Sequence, residues 1–313
     1  MIALKLRRPL LLSAATAALV SLGGCNTVLL SPSGYIAQQQ GDLIIISTVL
    51  MLLIIVPVIF LIILFAWRYR KSNTAAIYEP DWDHSTRLEL IIWGAPLLII
   101  IALGTITWIS THKLDPYRAL THLDAGRPIP EGTKPIIVQV VALDWKWLFI
   151  YPDLGIASLN ELAAPIDVPI RFQITSSSVM NSFYIPALAG QIYAMPGMQT
   201  TLNAVINAPG EFEGFSANYS GAGFSDMRFK FHGMTKDGFD GWVAKVRSEG
   251  KSLQRDGYMQ LEKPSERVPV QRFGTVDASL FHAIVNRCVK AGDPCMDATM
   301  MKDAHAAMGH ASE

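Results

Sequence analysis

Two long apolar runs and one long alternating tract divide this chain into unlike parts. Leu43 to Trp67 is 25 residues without a charge, and Leu90 to Ile109 is 20 more. A hydrocarbon core of about 30 Å takes about 20 helical residues, so each run predicts a membrane-spanning helix, over 43–67 and 88–110. Pro57 and Pro96 fall inside these spans, where neighbouring helices can satisfy the carbonyls they free. Trp67, Trp93 and Trp108 lie near the ends, as suits rings that favour the interface. After Pro116 the period changes. Val168, Ile170, Phe172 and Ile174 alternate with mostly polar neighbours, and Leu202, Ala204 and Ile206 repeat the pattern, as do Phe229 and Phe231. Ile136 to Ala142 is a nearly continuous apolar strand. Turn residues separate these stretches at Pro152–Gly155, Pro196-Gly197, Pro209-Gly210 and Gly221–Gly223. The tract 111–250 therefore predicts an all-β domain of the Greek-key sandwich or barrel kind. From about Ser252 the alternation fades; Ser279 to Lys290 predicts a helix, within a C-terminal extension over 251–313 that is partly helical.

A third apolar stretch, Leu10 to Val20, follows Lys5, Arg7 and Arg8 and ends at Ser21-Leu22-Gly23-Gly24-Cys25. That order predicts a secretory signal over 1–24. Leu22-Gly23-Gly24-Cys25 resembles the bacterial lipobox, which implies lipidation of Cys25. The loop 68–87 between the spans carries Arg68, Arg70, Lys71 and Arg87, whereas 26–42 has no Lys or Arg. Basic loops stay cytoplasmic, so the spans form a hairpin, with the N-terminal segment 25–42 and the β domain both in the periplasm of a bacterial inner membrane.

Composition sharpens this picture. Half of the 313 residues are hydrophobic and only 17% are charged, against about 25% in soluble domains. Twenty-six basic and 26 acidic side chains cancel, giving no general electrostatic reason to bind nucleic acid. Three cysteines are too few for a disulfide scaffold. Cys288 and Cys295 bracket a short loop, and in an oxidising compartment a local disulfide is expected there. The competing chemistry is copper binding by the tail residues Met296, Met300, Met301, His305, Met308 and His310, because thioether and imidazole suit that metal. His84, His112 and His232 read as isolated surface or loop residues, and no catalytic triad, phosphate loop or zinc spacing stands out.

Several stretches carry a resemblance. Arg87-Leu88-Glu89-Leu90-Ile91-Ile92-Trp93-Gly94-Ala95-Pro96, Val141 to Tyr151 with its Asp144-Trp145-Lys146-Trp147 core, Asn181 to Pro186 and Ala194-Met195-Pro196-Gly197-Met198 resemble segments of subunit II of the haem–copper respiratory oxidases. The resemblance runs from Cys25 to about Lys245 and implies a cupredoxin fold. In cytochrome c oxidases that domain holds a two-copper centre built on thiolates, imidazoles and a thioether. Matched to this chain, its ligand positions fall at Asn181, Ser216, Asn218, Ser220, Phe224 and Met227, of which only Met227 keeps the family's residue. The resemblance therefore implies a quinol oxidase, of the cytochrome bo type, in which this chain binds no cofactor. Haems and copper would reside in the partner subunit I, further subunits III and IV would join the complex, and ubiquinol would be its substrate. It also implies that Glu89, beside Arg87, marks the entrance of a proton pathway; the plainer reading is an interfacial carboxylate in a charge pair. Trp145 and Trp147 read as packing residues, and Met227 as a core gap-filler. Two rivals stand: a cytochrome c-dependent oxidase with another electron entry, and a free-standing copper-binding membrane lipoprotein.

Overall fold

The computed structural model describes residues 27–77 and 79–302; Cys25 and the tail residues His305, Met308 and His310 lie outside them. Helix α1 runs from Tyr35 to Arg68 and α2 from Thr86 to Lys113, each longer than the apolar run that predicts it. At 1.5 Å per residue they extend roughly 51 and 42 Å, more than a hydrocarbon core needs. The surplus of α1 is spent on docking. Gly34 offers no side-chain cap, and the N–H of Ala37, an orphan of the first turn, donates to the Leu188 carbonyl of the β domain at 3.3 Å. Ser33 and Gly34 N–H groups both donate to Ala187 O, and Asn207 N–H returns a bond to Ser33 O. Below this clamp the apolar side chains of both helices face outward, Ile63 64% and Trp93 78% exposed, as surfaces made for lipid or partner helices.

Twelve strands follow: β1 (Ile136–Leu143), β2 (Lys146–Tyr151), β3 (Ile156–Leu159), β4 (Glu161–Pro165), β5 (Ile170–Ser176), β6 (Asn181–Tyr184), β7 (Ile192–Ala194), β8 (Thr200–Ala204), β9 (Gly210–Ser216), β10 (Arg228–Met234), β11 (Lys251–Leu253) and β12 (Gln271–Val276). They form a seven-stranded sheet ordered β11-β12-β3-β2-β1-β5-β8 and a five-stranded sheet ordered β4-β10-β9-β6-β7. Alternate residues of β5, Ile170, Phe172 and Ile174, enter the core between the sheets, as their spacing predicts. There Phe183 and Phe229 stack at 5.5 Å and Trp147 meets both edge-on.

The C-terminal part corrects the sequence reading. Helix α3 (Lys236–Glu249), unpredicted, packs Phe239, Trp242, Val243 and Val246 onto the same core, and Thr235 Oγ1 caps it by accepting from Gly238 N–H. Residues after Ser252 are no appendage: β12 pairs antiparallel with β3 and β11 pairs parallel with β12, widening the larger sheet. Helices α4 (Arg255–Glu262) and α5 (Leu280–Val285) add Tyr258, Leu280, Phe281 and Ile284 to a second core on the outer face of β1 and β2. The helix expected over 279–290 is only these six residues of α5; Arg287 turns left-handed at φ 54°, and Cys288 and Cys295 close the next loop as a disulfide. Because β1 and β2 are covered on both faces, their sequence is nearly continuously apolar, Gln139 and Lys146 apart, rather than alternating.

Candidate functional site

Two places gather the residues singled out by sequence. The first is one end of the sandwich, where β6 begins at Asn181 and β9 ends at Ser216. The Ser216 hydroxyl lies 3.1 Å from Asn181 Oδ1 and 3.2 Å from Asn218 O, placed to donate to either. Asn181 Nδ2 donates to Val179 O, and Asn218 Nδ2 to Met180 O and Tyr219 O. Ser216 N–H donates to Met227 O at 3.2 Å, and the Trp147 indole reaches the same carbonyl at 3.4 Å. The Met227 side chain is fully buried in the main core. Ser220 sits apart from the Ser216 cluster: Trp145 Nε1 donates to its carbonyl at 3.0 Å, while its own buried hydroxyl has no partner. Phe224 turns to Tyr219, ring to ring at 5.7 Å. So Asn181, Ser216 and Asn218 join in one neutral network, Met227 joins it through its backbone, and Ser220 and Phe224 serve other contacts.

Trp145 covers the loop between β9 and β10. A Cβ on Gly221 would come within 2.9 Å of its ring, and one on Gly223 within 2.6 Å, so both glycines are required by the close approach. Gly221 also holds a φ of 118°. Beside it, Lys146, which by the resemblance stands where cytochrome c-dependent oxidases carry an aromatic, takes a buried role that sequence reasoning did not assign. Its side chain is 1% exposed, and Nζ donates to Asp144 O (2.8 Å), Lys263 O (2.9 Å) and Ser265 Oγ (2.7 Å). Burial pushes its ammonium below the ordinary lysine value, against the pull of Asp144. Its three acceptors are two carbonyls and a hydroxyl, so the ammonium is fully satisfied without a counter-ion. Nothing in a lone Lys between two tryptophans announces such a role.

The second place is the start of α2. Glu89 stands in the first turn, where a carboxylate is favoured by the helix dipole. Its partner is not Arg87: His84 Nδ1 lies 2.7 Å from Glu89 Oε1, and His84 Nε2 is 3.2 Å from Thr86 Oγ1. His84 is thus not isolated, because the non-helical Ser85 between them folds it back on the helix start. His232 is not isolated either. It lies between Glu161 (3.7 Å) and Glu211 (3.8 Å). Of the three, only His112 keeps to its own helix, its ring tilted against Trp108 at 4.6 Å. Among the described residues no three His, Cys, Asp or Glu side chains form a metal-holding group.

Comparison with known proteins places these features. Residues 154–232 match the family described as Cytochrome C oxidase subunit II, periplasmic domain, and residues 247–292 match the COX Aromatic Rich Motif. The second match falls on the segment that sequence reading left as an extension. The cytochrome bo(3) ubiquinol oxidase subunit 2 of Pseudomonas aeruginosa is 51% identical over 272 residues, covering 87% of this chain and 80% of that protein. The protein of the same description from Pseudomonas putida is 48% identical, covering 85% and 82%, and the ubiquinol oxidase subunit 2 of Acetobacter aceti is 48% identical, covering 84% and 83%. With identity this high over most of both chains, the chain belongs to the family of cytochrome bo(3)-type ubiquinol oxidase subunits II.

Proposed function

We propose that this chain is the non-catalytic subunit II of a proton-pumping ubiquinol oxidase, carrying no copper centre of its own. In such a complex quinol is oxidised to quinone and oxygen is reduced to water on the haems and copper of subunit I, with subunits III and IV alongside. The observation that carries this reading is the Asn181–Ser216–Asn218 network. A two-copper centre takes bridging thiolates and imidazoles, whereas these positions offer amide and hydroxyl oxygens already bonded to one another. Phe224 offers no lone pair, and Ser220 turns its carbonyl to Trp145. The donor set does not fit copper, so electrons from cytochrome c have no entry here. The chain would anchor in the inner membrane through Cys25 lipidation and spans over 43–67 and 88–110, with 68–87 cytoplasmic and the β domain periplasmic. Glu89, at the cytoplasmic mouth, would open the proton pathway into subunit I, since ionisable groups at such positions tend to be functional.

Oxygen uptake by the purified complex tests this. Uptake with ubiquinol and none with reduced cytochrome c is expected; uptake with cytochrome c alone overturns the reading. In the same assay Glu89→Ala slows turnover with assembly intact, and unchanged turnover removes Glu89 from the pathway.

A further inference from the structure

Where the two membrane helices enter the β domain, the chain encloses a chamber of about 350 Å³. Its wall comprises the first turns of α1, the segment after α2 and the Gly190-Gln191 turn. Three basic side chains, Lys113, Arg118 and His122, face a single acidic one, Asp115. Asp115 is already engaged, accepting the Tyr117 N–H at 2.9 Å. Among the described residues neither Lys113 nor Arg118 forms an ion pair. The chamber adjoins, at the shared residues Gln40, Leu114, Asp115 and Pro116, a second cavity of about 480 Å³ between α1 and α2. That lower cavity mixes hydroxyls (Ser47, Thr107, Ser110, Thr111) with Leu43 and Ile106. Thr107 and Thr111 belong to the last turns of α2, beside the exposed Trp108 that marks the membrane–water boundary.

Along α2 the wall therefore changes character with depth: cationic at Lys113 and, beyond the helix, Arg118, hydroxyl-bearing at Thr111, Ser110 and Thr107, and apolar at Ile106, while α1 faces it with Leu43 and, a turn deeper, Ser47. A glycerophospholipid has the same order, with an anionic phosphate, ester carbonyls and acyl chains. We propose that this double cavity is a binding site for one outer-leaflet phospholipid. Lys113 and Arg118 receive its phosphate, as basic pockets at membrane helix ends do. Ser110 donates to an ester carbonyl, while Thr111 spends its hydroxyl on the Thr107 carbonyl at 2.8 Å. Ile106 flanks the first methylenes of the chain. The lipid fills the wedge between the helices just under the clamp at Gly34, where side chains alone leave space.

The test uses the intact oxidase in vesicles of phosphatidylethanolamine and phosphatidylglycerol that carry a photo-crosslinker near the acyl-chain carboxyl end. Adducts are mapped by peptide mass spectrometry. Adducts on peptides spanning 43–47 and 106–111 are expected. Lys113→Gln and Arg118→Gln should each lower their yield roughly fivefold, and Ile106→Trp should abolish them by filling the groove, with oxygen uptake reporting that each variant has assembled. Adducts absent from these peptides, a yield indifferent to both charge removals, or extraction of a quinone rather than a phosphorus-containing molecule from the site overturns the proposal.

Discussion

Arg272→Met isolates the most buried arginine–carboxylate pair among the described residues. Glu161, at the start of β4, has a side chain only 9% exposed, and Arg272 of β12 grips both of its oxygens, at 2.8 and 2.9 Å. Trp242 of α3 adds an indole N–H at 3.2 Å, and Arg272 also reaches Glu249 at 3.0 Å. Removing one partner of a buried pair costs roughly 3–5 kcal/mol, because the other charge is left uncompensated. Arg272 is 23% exposed and Trp242 stays in place, so the lower end, about 3 kcal/mol at pH 7, is the expected loss. The pH dependence distinguishes this cause from lost packing. Burial pushes the Glu161 carboxyl up, but Arg272, Trp242 and His232 together outweigh it and hold it below the ordinary glutamate value. Wild type therefore has this contribution in full above about pH 4.5, where unfolded glutamate titrates, and loses it as pH falls through the lower folded value. In Arg272→Met burial dominates, the folded carboxyl titrates above the unfolded one, and the variant gains stability as pH falls. The gap between the two proteins should narrow from pH 7 to pH 5. Thermal unfolding in detergent, followed by near-ultraviolet circular dichroism of the tryptophans, measures it. Glu161→Gln added to Arg272→Met should recover part of the loss. A gap under about 1 kcal/mol at pH 7, or one equal at both pH values, refutes the reasoning.

Other variants test the remaining joints. Gly34→Ala places a Cβ 2.5 Å from Leu188 O and 2.9 Å from Val205 O, both backbone; overpacking against atoms that cannot turn away should cost about 1–3 kcal/mol, read as faster proteolysis around 27–42 and a lower yield of assembled oxidase. Lys146→Met removes the ammonium's bonds to the Asp144 and Lys263 carbonyls and the Ser265 hydroxyl; Ser265 N–H still serves Asp144 O, so a loss of about 1–2 kcal/mol with new protease cleavage near 263–267 should follow. Cys295→Ser opens a loop with a sequence separation of seven; the loop-entropy relation gives about 2.5 kcal/mol at most, and a fall in unfolding temperature that reductant reproduces in wild type is the expected result.

The membrane spans were legible because a charge-free run of that length has few other uses, and β5 was legible because its two faces meet different surroundings. The start of α1 was not, since Tyr35 to Gln40 is mixed in polarity and its helical state depends on carbonyls of Ala187 and Leu188 far along the chain. The strands and helices from about Ser252 were only partly legible for a related reason. A three-residue strand and a six-residue helix carry too few positions to show a period. A signal did exist elsewhere: β1 and β2 are apolar on both faces, which calls for a second covering layer, and Leu253, Tyr258, Phe273, Leu280 and Ile284 supply it. At the site, the types of residue at Asn181, Ser216 and Asn218 were readable, but their mutual bonds were not. The pairing of His84 with Glu89 was hidden because five residues is no helical neighbour distance unless the helix begins between them.

The covering layer has a consequence for the sandwich end. On the reading proposed above, the positions that would cross-link β6 to the β9–β10 loop through metal hold that loop by weaker bonds, Ser216 to Asn181 and Ala217 N–H to Ser182 O. Hydrogen bonds of this kind contribute about 1 kcal/mol each, less than a metal centre would. The shortfall is met from outside the loop. Lys146 fastens Lys263 and Ser265 to the β1–β2 turn, and Trp145 N–H donates to Ser265 O while Ser265 N–H donates to Asp144 O. The turn so fixed lays Trp145 on Gly221 and Gly223. Two residues further, Arg267 pairs with Asp226 at 2.8 Å and clasps the far side of the same loop. The segment matched by the aromatic-rich motif thus braces the loop through Trp145 and Asp226. Lysine at position 146 thus has a physical reason, because its extended cation offers three donors to a strand turn, a proline-preceding carbonyl and a hydroxyl at once.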